Sequence, residues 1–253
     1  MFRLVTEKTE NWVRFLSAIR KITDEACFHI ASDRIWLRGM DAAHVSLIDF
    51  AVPKGDFADY QAGEEESVVC ILLDKLLPFL KKTKRGDRME MIYDEKVGKF
   101  KVRVLGEYVR EFITPLLDTK DRSPLKVPKV DYTGQIKMTT AALSDALKDI
   151  QLISEKVKIS TTKETLTLMG ETYEGIETTA TLHHTDIAIL EADIKEEATA
   201  TYNVELMTSV LNEIEKISAI VDFGYGTDLP LRMVFEFPEE QTFDFYLAPR
   251  IED

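Results

Sequence analysis

The sequence predicts an α+β protein of two similar domains, each with two helices packed on antiparallel sheets. Two observations support this fold class. Short segments with alternating apolar residues outnumber the helical segments in each half of the chain. The segment 35–50, two alternating runs around a polar corner at Gly39, returns at 166–178 with an offset of 131 residues and no gap. A repeat of this length indicates a duplicated domain. We therefore expect Gly170 to lie at the same position in the second domain as Gly39 in the first.

The first half begins with an alternating N-terminal segment and a helix over 9–22, whose apolar residues fall on one face. Leucines from Leu73 to Leu80 predict a second helix with Pro78 near its start, because proline is tolerated only in about the first turn. Asp74 or a neighbour is expected to cap it. The other alternating segments predict strands at 1–7, on both sides of Gly39, and at 68–72, 89–93, 99–105 and 107–115.

A charged segment with two prolines and no periodicity, 118–131, separates the halves and predicts a connecting loop. We therefore expect an N-terminal domain over 1–117 and a C-terminal domain over 132–253. Apolar residues in 140–154 and 204–211 predict a third and a fourth helix, which match the first two at the same offset.

Composition restricts the class of protein. With 45% hydrophobic and 30% charged residues, the chain of 253 residues is expected to bury a core. No run of about 18 apolar residues predicts a membrane span, and the N-terminus predicts a strand rather than a secretory signal. The two cysteines, Cys27 and Cys70, each lie in an apolar run, which predicts buried thiols in a reducing compartment. They are too few for a zinc site.

Catalytic motifs are absent from the sequence. It contains neither of the glycine-rich phosphate-binding patterns nor the nucleophile pattern G-x-S-x-G. His183 and His184 are adjacent, so that in a strand they point to opposite faces and do not form a metal pair. We predict no catalytic residue, no metal ligand and no cofactor.

Charge is distributed unevenly along the chain. The net charge is −13, yet the helical segments 8–22 and 72–85 are net basic, whereas 139–156 and 203–217 are net acidic. This separation favours a helical surface that faces a polyanion, although solvation of exposed helix faces explains lysines equally well. The candidate residues for contact with a polyanion such as DNA are Arg14, Lys21, Lys75, Lys81, Lys82, Lys84, Arg85, Lys148 and Lys216.

Four segments together resemble the proliferating cell nuclear antigen family of DNA sliding clamps, most closely its archaeal form. They are LRGMDAAHVSL at 37–47, LKVP at 125–128, DLPL at 228–231 and YLAPRIED at 246–253. The resemblance extends over the full chain. It implies the DNA clamp fold, in which three subunits form a ring around duplex DNA with helices lining the hole. It also implies a processivity factor for replication and repair that is not an enzyme and needs no cofactor.

The resemblance further implies the partners and a place in the cell. DNA contact is expected to be independent of sequence. The ring is expected to form from copies of the chain or with sister clamp subunits. DNA polymerase, clamp loader, flap endonuclease and DNA ligase are expected to dock through short peptide motifs. The implied location is the nucleoid in the cytoplasm for an archaeal protein and the nucleus for a eukaryotic one.

The family's peptide pocket lies under the connecting loop. Two features of this sequence support it: Leu125 and Val127 are apolar within a solvated loop, and the C-terminal tail is apolar where a terminus is normally polar. Carried over by matching motif, the pocket comprises Met40, His44, Val45, Leu47, Leu125, Val127, Pro230, Tyr246, Ala248, Pro249 and Ile251.

Two predicted strands, 107–115 and 176–182, are candidates for exposed sheet edges that join subunits. The interface residues are Tyr108, Arg110, Phe112, Ile176, Thr178, Thr179 and Ala180. Two alternatives stay open. The first, within the same family, is a checkpoint-type clamp or one subunit of a heterotrimeric clamp. The second, from another class of protein, is a two-domain enzyme with an unrecognised acidic site.

Overall fold

The computed structural model describes residues 1–94, 98–118 and 125–251. Within these ranges the chain forms four α-helices and eighteen strands. The described residues fall into two compact units. The first is drawn from Met1–Ala42, Ile48–Lys126 and Phe237–Phe243, and the second from Ala43–Leu47, Val127–Glu236 and Asp244–Asp253. Part of the predicted connecting loop, 119–124, and the last two residues of the predicted tail lie outside the described residues.

Each half of the chain contains nine strands and two helices in the same order. Residues 1–118 contain β1 (Phe2–Thr6), α1 (Thr9–Ile22), β2 (Glu25–Ile30), β3 (Arg34–Met40), β4 (Ser46–Pro53), β5 (Asp59–Gln61), β6 (Ser67–Leu72), α2 (Leu73–Leu80), β7 (Arg88–Asp94), β8 (Lys99–Leu105) and β9 (Val109–Pro115). Residues 125–251 contain β10 (Gly134–Thr139), α3 (Thr140–Gln151), β11 (Lys156–Thr161), β12 (Thr165–Glu171), β13 (Glu177–His183), β14 (Ile189–Ile194), β15 (Ala198–Asn203), α4 (Val204–Ile214), β16 (Ile220–Tyr225), β17 (Leu231–Phe235) and β18 (Thr242–Leu247).

The sheets confirm the predicted fold class and follow the sequence repeat. In the first half the strand orders are β5-β1-β7-β8-β9 and β6-β2-β3-β4. The second half repeats both orders nine strands later, as β14-β10-β16-β17-β18 and β15-β11-β12-β13. The registers that are resolved within both halves are antiparallel. Strand β9 ends the five-stranded sheet of the first half, and β13 ends the sheet that contains β11 and β12.

The second helix differs from its prediction. It begins at Leu73 and includes Pro78 in its interior, beyond the first turn. No side chain caps it, so the expectation that Asp74 or a neighbour does so was wrong; Asp74 lies in the first turn itself. The helix ends at Leu80, and therefore the basic residues 81–85 follow the helix instead of forming its last turn. Pro78 lacks the N–H that would otherwise donate to the carbonyl of Asp74, four residues earlier.

The prediction of two buried free thiols was also wrong. Cys27 on β2 and Cys70 on β6 face each other directly in the antiparallel register, and a disulfide joins them. Cys70 is fully buried, but Cys27 is only partly so. The spacing of 43 residues carries no sign of this pairing, because strand β2 itself was not predicted.

Residues from the far end of the chain complete the core of the first unit. The ring centroid of Phe15 on α1 lies 5.3 Å from that of Phe237 and 6.0 Å from that of Phe243. Phe243 also contacts Phe50 on β4, with the ring centroids 5.9 Å apart. The segment 237–243 therefore contributes aromatic rings to a core that residues 1–118 alone do not fill. Among the described residues, no helix is long and apolar enough to cross a bilayer.

We expect Phe243→Ala to lower the free energy of unfolding by about 3–5 kcal/mol, because it removes a fully buried ring that two other rings contact. Urea denaturation measures the change. Thr242→Ala, on the exposed neighbouring residue of β18, is the matched control and should stay within about 0.5 kcal/mol of the parent chain. Equal effects of the two substitutions would contradict the placement of this segment in the core.

Candidate functional site

The edge strand β9 starts beside a cavity of about 280 Å³. Tyr108, just before the strand, is 69% exposed, and Val109 and Ile113 on the strand are also exposed. Alternation turns Phe112 to the other face, where its ring lies 5.7 Å from that of Phe79. The lining residues of the cavity are Phe79, Lys82, Lys84, Asp87, Gly106, Glu107, Tyr108 and Arg110.

Arg110 holds the strand to the end of α2. Its guanidinium donates to the carbonyl oxygens of Phe79 at 3.4 Å and Lys82 at 3.3 Å, and it lies 5.2 Å above the Phe79 ring. Asp87 balances its charge at 3.8 Å, and Lys84 reaches Glu107 at 3.3 Å. These contacts bring Lys82 and Lys84 to the rim of β9, so that two predicted DNA-contact residues lie with the predicted subunit edge.

The edge strand β13 has a different character. Glu177, Thr179 and Thr181 alternate outward, while Thr178 and Ala180 are partly buried against the sheet. Ile176 is exposed just before the strand. Helix α3 packs against β12 and β13 and presents Asp145 and Asp149, one turn apart, to solvent.

Sequence analysis missed four exposed apolar residues beside the two edges. They are Val109, Ile113, Leu152 and Tyr173. Alternation could have identified Val109 and Ile113, because they share with Glu111 the outward face of a predicted edge strand. Leu152 follows α3 and Tyr173 lies in a turn, where no periodicity marks an apolar residue as unusual.

The candidate DNA-contact residues differ in exposure and in whether they lie on a helix or after it. Lys21 and Lys75 are exposed on α1 and α2, and Lys81, Lys82, Lys84 and Arg85 are exposed after α2. Lys75 pairs with Asp74 at 3.2 Å, but its side chain is largely exposed. Arg14 is partly buried on α1, and Lys216 is exposed after α4.

Lys148 differs from Lys75 and Lys84, which also pair with a carboxylate, because its side chain is less exposed and its ammonium contacts both oxygens of one carboxylate. Its ammonium donates to both oxygens of Glu215, at 3.1 and 3.2 Å. Glu215 follows α4, so this pair joins α3 to α4 in the second unit. The contact reduces the charge that Lys148 offers to a polyanion and accentuates the difference between the first half, in which α1 and residues 81–85 are basic, and the acidic helices α3 and α4.

The tail and the corner 43–47 meet within the second unit. The N–H of Ala248 donates to the carbonyl of Val45 at 2.7 Å, and the N–H of Arg250 donates to the carbonyl of Thr201 at 2.7 Å. These two bonds hold Pro249 in extended chain between them. Ile251, beyond the second bond, is 90% exposed. The contact between Ala248 and Val45 joins two of the segments that carry the sequence resemblance.

His44 lies at the centre of this corner with its backbone in the left-handed region, at a φ of 59°. A residue with a Cβ adopts this conformation only where its surroundings hold it, and such positions are frequent at binding sites. Its side chain is exposed. The corner therefore presents the imidazole of His44 beside Val45, which is exposed as well.

The other predicted pocket residues range from exposed to buried. Leu47 is 3% exposed and Tyr246 is 5% exposed, so that both side chains are buried and neither presents an open surface to a ligand. Val127, Pro230, Ala248 and Pro249 are partly buried in the second unit. Met40 and Leu125, also partly buried, belong to the first unit.

Two tyrosines near the tail stay protonated at neutral pH. Burial raises the pKa of Tyr132 to about 12. Burial, and after it the carboxylate of Asp244, raises the pKa of Tyr246, whose hydroxyl donates to Asp244 at 3.3 Å. Arg232 donates to the same carboxylate at 2.6 Å and lies 5.7 Å above the Tyr246 ring. These contacts fix the Tyr246 ring below the tail.

Comparison with protein-family models identifies the family to which the chain belongs. The N-terminal domain model of proliferating cell nuclear antigen matches residues 1–105, and the C-terminal domain model matches residues 126–250. The chain belongs to the proliferating cell nuclear antigen family. The two matches flank the connecting loop and together cover most of the chain, as the sequence resemblance predicted.

Archaeal relatives match over almost their whole length. A DNA polymerase sliding clamp 1 from Pyrobaculum aerophilum is 28% identical over 237 residues, covering 94% of this chain and 93% of that protein. A DNA polymerase sliding clamp from Pyrococcus furiosus is 27% identical over 254 residues, covering 100% of this chain and 99% of that protein. The proliferating cell nuclear antigen family is a family of non-enzymatic processivity factors, which confirms the prediction that the chain is not an enzyme.

Two solved structures share the fold. The structure of proliferating cell nuclear antigen from Thermococcus kodakaraensis matches with a TM-score of 0.91 at 24% identity, over 99% of this chain and 100% of that one. A chain in the complex of two such antigens, PCNA2 and PCNA3, from Sulfolobus tokodaii matches with a TM-score of 0.89 at 24% identity, again over 99% and 100%. Among the described residues, no group of three or more His, Cys, Asp or Glu side chains is placed to hold a metal ion.

Proposed function

We propose that the chain is a DNA polymerase sliding clamp whose subunits join β9 to β13 in a ring of three around duplex DNA. The observation that supports this most is the presence, in a member of this family, of two unpaired edge strands with complementary surroundings. Lys82, Lys84 and Arg110 surround β9, whereas Asp145 and Asp149 lie on the helix that packs against β13.

Pairing of these edges satisfies two needs at once. The backbone donors and acceptors on the outer side of each edge gain partners. The exposed apolar residues beside each edge, including Tyr108 and Ile176, leave water. Opposite charges at the rim align the edges and disfavour pairing of β9 with β9 or β13 with β13. Because both edges occur in one chain, repeated head-to-tail contact closes a ring.

Charge reversal tests this pairing. We expect Lys82→Glu with Lys84→Glu, or Asp145→Lys with Asp149→Lys, to weaken the trimer at least about tenfold, because like charges then meet at the rim. Light scattering over a dilution series measures the dissociation. All four substitutions in one chain should restore the trimer, since the edges become complementary again with the signs exchanged.

The matched control reverses two exposed lysines that follow β4 and β14, Lys54→Glu with Lys195→Glu, and should leave the mass unchanged. Circular dichroism confirms that each variant is folded. If the fourfold variant stays as dissociated as the twofold ones, these charges do not face each other across subunits.

For the DNA contact we propose weak, sequence-independent binding through the helices of the first half. Lysines on exposed helix faces bind phosphates without reading bases, which permits sliding, and the closed ring provides retention. Lys21 and Lys75 support this role best, because both are exposed on their helices. Lys82 and Lys84 are a poor test of DNA binding, because a substitution there also affects the proposed edge.

We expect Lys21→Ala with Lys75→Ala to reduce affinity for a short duplex and to lower the salt slope of binding by about 1 for each phosphate that is no longer neutralised. Fluorescence anisotropy over a salt series measures both quantities. Lys148→Ala with Lys216→Ala is the control with the same charge change and should have the smaller effect, because Glu215 already neutralises Lys148. Equal reductions from both pairs would refute the proposed asymmetry.

For partner recruitment we propose the surface around the tail and the corner 43–47. The bond between Ala248 and Val45 holds the tail beside exposed apolar residues, and a peptide that inserts aromatic and aliphatic side chains suits such a surface. As clients of this surface we propose DNA polymerase, clamp loader, flap endonuclease and DNA ligase, which the family resemblance implies. Since the relatives are archaeal, we propose that the protein recruits these partners at the nucleoid in the cytoplasm.

Removing residues 248–253 should abolish binding of a synthetic peptide with aromatic and aliphatic anchors, while the trimer mass is unchanged. Val45→Ser should weaken it about tenfold, equivalent to about 1.4 kcal/mol. Val45 is a better test position than Leu47, because Leu47 is buried and its substitution would also destabilise the fold. Calorimetry gives the affinity, and removal of residues 252–253 alone is the control. Undiminished affinity in the longer deletion would exclude this surface.

A heterotrimer with sister chains is the second candidate. The matching structure from Sulfolobus tokodaii contains two different antigens of this family, which is the observation in its favour. A subunit of either kind of ring has both edges, so their presence in this chain does not separate the two candidates. The four-substitution rescue separates the two, since it succeeds only if both edges of the interface come from this chain.

A further inference from the structure

Two hydrogen bonds hold the chain on either side of residues 119–124 of the connecting loop. Just before the loop, the N–H of Leu117 donates to the carbonyl of Cys70 on β6 at 2.9 Å. Within the loop, Nη1 of Arg38 on β3 donates to the carbonyl of Leu125 at 3.1 Å. The second contact involves a charged side chain from the LRGMDAAHVSL segment, a residue that neither the predicted pocket nor the predicted DNA surface includes.

Arg38 is oriented before it reaches the loop. Its Nε donates to Oδ1 of Asp49 on β4 at 3.1 Å, and its Cζ lies 5.6 Å from the centre of the Trp36 ring. The guanidinium thus donates in two directions from one plane while it stacks on an indole. An arginine fork suits this arrangement, whereas a lysine ammonium supplies only a single point charge.

Trp36 is itself fixed. Its Nε1 donates to Oε2 of Glu66 at 3.1 Å, and its ring stacks on His29 with 4.0 Å between centroids and 14° between planes. His29 contacts the other oxygen of Glu66 at 2.7 Å. A supported row of side chains therefore runs from Glu66 through Trp36 to Arg38 and ends on the connecting loop.

The row leads into the predicted pocket. Trp36, Arg38 and Met40 alternate with buried residues on β3 and share its partly exposed face. Met40 is a predicted pocket residue, and so is Leu125, whose carbonyl Arg38 holds. We propose that Arg38 is a positioning residue for partner-peptide binding, which holds the connecting loop at Leu125, a predicted peptide-contact residue of the first unit. This inference rests on the proposed peptide site.

The contribution of Arg38 is geometric more than energetic. Its side chain is 33% exposed and that of Asp49 is 28% exposed, so that water screens the ion pair and its effect on global stability is small. A loop that must be ordered before a peptide binds lowers the apparent affinity, and a contact that orders the loop in advance removes that cost. Loss of Arg38 is therefore expected to change binding while folding is preserved.

The test compares Arg38→Met with Arg34→Met. Arg34 is exposed on the same strand, so the control removes the same charge four residues away. The probe is a synthetic peptide with aromatic and aliphatic anchors, and calorimetry gives its affinity. Trypsin cleavage after Lys126 and Lys129, both exposed, is followed by mass spectrometry and reports on anchoring of the loop without any peptide. Thermal unfolding confirms that the fold is intact.

We expect Arg38→Met to bind the peptide about tenfold more weakly and to be cleaved several times faster, with an unchanged unfolding midpoint. Arg34→Met should match the parent chain in all three measurements. Arg38→Lys should recover less than half of the missing affinity, because its ammonium lacks the fixed separation between Nε and Nη1 that spans Asp49 and the Leu125 carbonyl. Asp49→Leu, which is of similar size but removes the acceptor of the Nε bond, should weaken binding in the same direction and provides a second variant.

Each opposite result has a distinct meaning. If Arg38→Met binds and is cleaved like the parent chain, Arg38 does not position the loop. A lysine variant equal to the parent would overturn the two-direction role of the fork. A parent chain that binds no peptide would overturn the proposed peptide site and the role of Arg38 in binding, whereas the cleavage rates would still decide whether Arg38 anchors the loop.

Discussion

Unpaired strand edges are the constraint on which this protein depends. Strands β9 and β13 each end a sheet with a row of backbone groups that no strand of its own sheet satisfies. On β9 the inward charge of Arg110 is used to hold the strand to the end of α2, and Pro115 is its last residue. Both edges have exposed apolar residues beside them, with Lys82 and Lys84 near β9 and Asp145 and Asp149 on the helix that packs against β13. Pairing with another chain is the arrangement that these features support together.

The same division of charge explains how a strongly acidic protein can enclose a polyanion. The chain has a net charge of −13, but helix α1 and the residues 81–85 after α2 are basic, whereas α2 itself is neutral. The acidic remainder repels a polyanion from the rest of the surface. In the second unit, Lys148 is neutralised by Glu215, so the two halves are alike in fold but differ in the charge of their helices. Duplication preserved the core and allowed the surfaces to diverge.

Sequence periodicity predicted the parts of this fold that depend on burial. The repeat around Gly39 and Gly170, the four helices and the two edge strands follow from where apolar residues recur, and the sheets confirm them. Features that depend on partners distant in sequence were not predictable. The disulfide joins Cys27 to a strand 43 residues away, and Lys148 meets Glu215 across two helices. The burial of Leu47 and Tyr246 and the anchoring of Leu125 by Arg38 likewise depend on register and side-chain direction, which alternation alone does not specify.

The most direct test of self-assembly is the native mass of the chain alone, without DNA, loader or sister chains. Each chain has a mass of 28.9 kDa, so a closed ring predicts a single species at three times that value that persists on dilution to the nanomolar range. A species at 28.9 kDa at every concentration would contradict assembly through edges that one chain carries by itself.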